Sequence, residues 1–165
     1  MPATYEKIAT TTLGSAATDI TFSSISSAYT DIKLVFVGFT TDAVNLQIQL
    51  DGDTGSNYSY TRLSGDGTSA ASFRASSQTS VLLTQGGIAS SSTPGFLTID
   101  LFSYAGSTYK TFLSQTSNDK NGSGVVNRIV GLWSSTSAID SIKLYPVSGN
   151  ISTGSIATLY GILKA

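Results

Sequence analysis

A two-residue alternation of apolar and polar side chains constrains this chain more than any other feature. Across residues 44–50, Val44, Leu46, Ile48 and Leu50 alternate with Asn45, Gln47 and Gln49. Successive strand side chains point to opposite faces, so this run reads as a strand with one buried and one wet face. Residues 96–104 and 109–116 alternate in the same way. Further short runs of β-branched and aromatic residues lie at 5–13, 20–22, 58–63, 80–84, 125–133, 141–147 and 156–163. Residues 31–40 are apolar on both faces, with Ile32, Leu34 and Phe36 on one and Val35, Val37 and Phe39 on the other. That pattern predicts a central strand buried on two sides. No stretch repeats apolar residues at the i, i+3, i+4, i+7 spacing of a helix.

Turn residues punctuate these runs at Asp51-Gly52, Gly65-Asp66-Gly67, Gly86-Gly87, Ala105-Gly106, Asn121-Gly122 and Ser148-Gly149-Asn150. Residues 67–78, rich in Ser, Ala and Gly, read as a loop with at most a helical turn. No composition shift or repeat divides the chain. The expectation is an all-β fold with one domain over 1–165: an antiparallel, jelly-roll-like β-sandwich of roughly 8–10 strands. Residues 1–13 form either an edge strand or an N-terminal arm.

Composition excludes several chemistries. The chain has no cysteine and no histidine. Disulfides, Cys/His zinc sites, cysteine nucleophiles and Ser-His-Asp triads cannot be built. Net charge is −1, and no two of the nine Lys and Arg residues are adjacent. Phosphate neutralisation needs clustered cations, so no nucleic-acid partner is expected, and no anionic membrane surface. The longest apolar run, residues 34–39, is too short to span a bilayer, and the N-terminus carries no export signal pattern. Synthesis in a cytoplasm is the corresponding expectation. No cofactor is called for.

The remaining polar constellations are weak. Asp51 and Asp53 begin a run that resembles a calcium loop, but Ser56 stands at the sixth position, where glycine is required. Arg62 stands at the twelfth, where a bidentate glutamate belongs. A tight turn explains Asp51-Gly52 better, so Asp51 and Asp53 stay only as weak metal candidates. Residues 118–124 read as a polar loop tip, a hairpin connection in preference to a site for a sugar or a partner's backbone. Asp100 lies mid-strand on the wetter face, where a hydrogen-bonded sheet residue is expected. Tyr58 and Tyr60, two apart beside a loop, are candidates for an exposed aromatic pair, and core packing explains them equally well. Trp133, ending an apolar run, is a core or subunit-interface residue. Carboxylates alone would have to serve an enzyme, so no catalytic residue is assigned.

Several stretches resemble small β-sandwich virion proteins of tailed bacteriophages and cyanophages. They are Ile8-Ala9-Thr10-Thr11-Thr12-Leu13, Ile20-Thr21-Phe22-Ser23-Ser24-Ile25, Tyr29-Thr30-Asp31-Ile32-Lys33-Leu34-Val35 and Gly52-Asp53-Thr54-Gly55-Ser56-Asn57-Tyr58-Ser59, followed by Tyr109-Lys110-Thr111. Residues 131–139, 149–151 and 154–162 continue the likeness in order. The resemblance implies a jelly-roll-like fold, frequent trimers and a structural role, with no catalytic residue to carry over. A capsid decoration (cement) protein on the virion surface, bound to the major capsid protein, is the leading expectation. The alternative is a tail-fibre or tail-tip sandwich that binds host glycans. A complete fibre is expected to need a shaft beyond the sandwich, which favours the capsid reading.

Apolar crowding near both termini, with little charge to protect an edge, predicts self-association. The interface candidates are Tyr5, Ile8, Leu13, Trp133, Leu159, Tyr160 and Ile162.

Overall fold

A computed structural model describes residues 5–88, 93–119 and 123–163. The chain runs through β1 (Tyr5–Thr12), β2 (Ile20–Phe22), β3 (Asp31–Gly38), β4 (Leu46–Leu50), β5 (Tyr58–Gly65) and β6 (Ala70–Gln78). It continues through β7 (Val81–Leu82), β8 (Gly95–Phe102), β9 (Lys110–Asp119), β10 (Gly124–Trp133), β11 (Ile142–Pro146) and β12 (Ile156–Ile162). No helix occurs among the described residues.

The strands form an antiparallel β-sandwich of unequal layers. The large sheet has the order β1-β12-β3-β8-β9-β10-β5-β6, and the small sheet the order β2-β11-β4-β7. Inward residues of the large sheet include Ile32, Leu34 and Phe36 of β3 and Leu97, Ile99 and Leu101 of β8, all fully buried. They meet Leu46, Ile48 and Leu50 of β4 and Ile142 and Leu144 of β11 from the small sheet, within one continuous core. Each such side chain stabilises the fold by roughly 1.5–3 kcal/mol.

Two expectations fail, one because the second layer is short and the other because there is no third layer among the described residues. Residues 67–78 are not a loop, because Ala70–Gln78 forms edge strand β6, exposed along nearly its whole length. Strand β3 is buried on one face only, and Val37 on its outer face is 38% exposed. Nothing in the described chain layers over that side. Asp100 behaves as expected, accepting a 2.6 Å hydrogen bond from Lys33 Nζ on the adjacent strand.

Where the small sheet ends, the segment 83–88 continues the cover without forming a ladder. Its backbone therefore needs side-chain partners. Thr116 Oγ1 donates to Leu83 O at 3.0 Å, and Asn118 Nδ2 donates to Gly87 O at 2.6 Å. On the other side, Leu83 N donates to Leu46 O and Ile88 N to Val44 O. This explains why the inward face of the large sheet turns polar at Thr116, Asn118 and Asn127, all buried and all reaching carbonyls of that segment. Lys120, Asn121 and Gly122 of the expected hairpin tip lie outside the described residues.

Gly131 of β10 is dictated by packing. A Cβ there would lie 2.2 Å from Phe112 Cζ. Gly131→Ala is expected to cost about 1–3 kcal/mol through overpacking. Adding Phe112→Leu should recover part of the loss, a non-additivity that denaturant titration of the two single variants and the double variant will read.

Candidate functional site

The weak metal candidates come first. Asp51 and Gly52 both take positive φ, 51° and 64°, and Asp53 N donates to Leu50 O at 3.0 Å. This is a tight turn of the type that needs left-handed residues, as expected. The two carboxylates then serve as internal bolts. Asp51 Oδ1 accepts the backbone N–H groups of Asp140 and Ser141, both at 2.9 Å. Asp53 Oδ2 accepts from Trp133 Nε1 at 2.6 Å and from Asn57 Nδ2 at 2.9 Å, while Oδ1 accepts from Gly55 N at 2.7 Å. Three of the four oxygens are thus committed to protein donors. No group of three or more metal-ligating side chains is gathered among the described residues.

Around this turn the aromatic residues are structural. Tyr58 and Tyr60 are buried, 1% and 7% exposed, so they are not an exposed pair. Their inward position on β5 places them against the core. Tyr58 stacks on Trp133 with ring centroids 6.4 Å apart, and its hydroxyl donates to Leu50 O at 3.1 Å. Burial raises the Tyr58 pKa well above the ordinary phenol value. Lys110, also fully buried, donates from Nζ to Gly106 O at 2.6 Å and Thr108 O at 2.5 Å. Burial lowers its pKa.

The predicted interface residues divide. Leu159 and Trp133 belong to the core, 0% and 3% exposed, and offer no surface to a partner. Both side chains point to the inward face, Leu159 from β12 and Trp133 from β10, and neither strand is an edge. Ile8 and Leu13 are partly buried and pack on the same core. Tyr5 remains exposed, with half-buried Ile162 opposite it and half-buried Tyr160 opposite Lys7. A register shift between Lys7 and Ala9 makes Ile8 a bulge, a feature that protects the β1 edge from pairing.

A larger surface lies on the uncovered side of the large sheet. Ile156 pairs with Val37, Val37 with Phe96, Phe96 with Ser117, and Ser117 with Val126. All point outward in one transverse row. The four apolar members are 38–52% exposed. Val126, Val130 and Leu63 extend the apolar surface over β10 and β5, each more than half exposed. The sequence carried the signal in the doubly apolar run of β3.

No known protein family and no curated protein matches the sequence. Among the described residues no helix is long and apolar enough to cross a membrane.

The two aspartates are expected to respond oppositely to neutralisation. Hydrogen bonds from Trp133 and Asn57 lower the Asp53 pKa, so its contribution is present above the ordinary carboxylate value and lost as pH falls through the folded value. Burial raises the Asp51 pKa despite its two backbone donors, so its ionisation costs stability as pH rises. At pH 7, Asp53→Asn should therefore lose about 1–3 kcal/mol. Asp51→Asn keeps an acceptor and tolerates positive φ, and should melt at or above the parent temperature. Thermal melts at pH 7 and pH 3 check both signs.

Proposed function

We propose that this chain is a non-enzymatic structural protein of a tailed-phage virion, a decoration protein that binds the shell of major capsid protein and stabilises it. The observation that carries the reading is the outward apolar row Ile156–Val37–Phe96, continued past Ser117 by Val126. A flat sheet face of this kind fits a broad protein surface better than it fits a small substrate. The sequence resemblance supplies the partner class, and the β-sandwich agrees with it.

Self-association as a homotrimer belongs to the same proposal. Edge strand β6 suits that contact better than the terminal strands. It is exposed except at Ala75, and Arg74 is its one charged residue. Unpaired edge N–H and C=O groups are satisfied by a neighbouring copy, and a cyclic assembly closes the contacts. Light scattering is expected to give three times the 17.1 kDa chain mass.

Phe96→Asp is expected to weaken co-sedimentation with capsid shells lacking the protein by at least tenfold. Its melting temperature should barely change, because the residue is on the surface. Cryo-electron microscopy of the particle decides the location. Density of this sandwich on the tail alone would overturn the capsid reading.

A further inference from the structure

At the opposite end of β5 from the aspartate turn, the β5–β6 hairpin overhangs the segment 83–88 and leaves a hollow of about 290 Å³. Arg62, Ser64, Asp66, Ser69, Gln85 and Val125 are among its lining residues. Arg62 is 92% buried by its 8% exposure, yet its Nε has no hydrogen-bond partner. Its guanidinium lies 5.1 Å over the Phe73 ring, and it makes no ion pair with a carboxylate among the described residues. A buried guanidinium with an orphan donor is costly unless something else supplies the acceptor.

The neighbours define that acceptor. Asp66 does not supply it, because Oδ1 already accepts from Thr68 N at 2.9 Å and Ser69 N at 2.7 Å in the hairpin turn. Its negative charge on the same rim also disfavours a dianion such as phosphate. A singly charged carboxylate matches the planar guanidinium fork with a smaller penalty. The Ser64 hydroxyl and the Gln85 amide provide donors and acceptors for hydroxyl groups, and the Ser69 hydroxyl, which donates to Asp66, adds an acceptor. On the neighbouring strand Asn127, opposite Ser64, also leaves Oδ1 unpartnered. The volume falls at the small end of ligand pockets, roughly 300–1,000 Å³, which sets a single-ring ligand.

We propose that this hollow binds a hydroxylated monocarboxylate of monosaccharide size, a uronate, with Arg62 holding the carboxylate. The site is independent of the outward face assigned to capsid binding and stands whichever way that reading is decided.

Calorimetric titration of the full chain at pH 7 with glucuronate, glucose and inorganic phosphate tests it. Glucuronate should bind saturably, at least tenfold more tightly than glucose or phosphate, and should weaken as salt is added. Arg62→Gln should lose at least tenfold. Because that residue is buried, Gln85→Glu is the second variant. Its side chain is exposed, and the added carboxylate should cut glucuronate binding at least tenfold without altering the melting temperature. Absence of saturable glucuronate binding, equal affinity for glucose or phosphate, or an unchanged affinity in Gln85→Glu would each overturn the proposal.

Discussion

Four strands cannot cover eight, and most of the character of this molecule follows from that mismatch. The hydrophobic interior centres on the strip where β2, β11, β4 and β7 face the large sheet, with loop residues such as Ile25, Leu83, Ile88 and Ile139 completing it. Beyond the strip, the chain must either supply an irregular cover or leave the sheet bare. It does both. Segment 83–88 extends the cover and recruits inward threonine and asparagine side chains to hold its carbonyls. Strand β6 stays largely uncovered beyond the small sheet, and the outer face is bare because no third layer lies over it among the described residues; there apolar side chains meet solvent in the isolated chain. Covering the outward row against another surface would recover roughly 25 cal/mol per Å² of apolar area.

Polar residues act here mainly as fasteners between distant parts of the chain. Asp53 joins the β4–β5 turn to the end of β10, eighty positions away in sequence. Asp51 ties the same turn to residues 140 and 141. Serine and threonine contribute 28 and 22 residues to the chain, and charged residues only 12%. A sandwich with so few ion pairs depends on short neutral donors and acceptors. These lose little rotamer freedom when they are fixed.

The parts of the fold that were legible in the sequence are those where one strand face is wet and the other dry. Val44–Leu50 and Phe96–Phe102 alternate because water selects one set of positions and the core the other. Strand β6 has no such contrast. With neither face covered, Ala70–Gln78 carries no alternation and resembles a loop in composition. The double apolar run of β3 registered correctly as two apolar faces, but a sequence cannot say whether the second face has a partner within the same chain. Of the site residues, the Asp51-Gly52 turn was readable because left-handed backbone restricts residue choice. The roles of Asp53, Trp133 and Arg62 were not, since each depends on neighbours brought in from other strands. For Arg62 the one available hint was a cation at an inward position of a strand, which becomes visible only once the register is known.

Trp133 is the chain's single tryptophan, and it sits against Asp53 and Tyr58 at one end of β5. The far end of that strand, where the hairpin turns, is about 23 Å away at the usual rise per residue, and Arg62 of the hollow about 13 Å. The intrinsic emission of this protein is therefore a local optical probe. It reports first on the closure of the aspartate turn over the sandwich end, whose aspartate is its direct hydrogen-bond partner. A second fluorophore placed on β6 would make the two ends separately observable within one molecule.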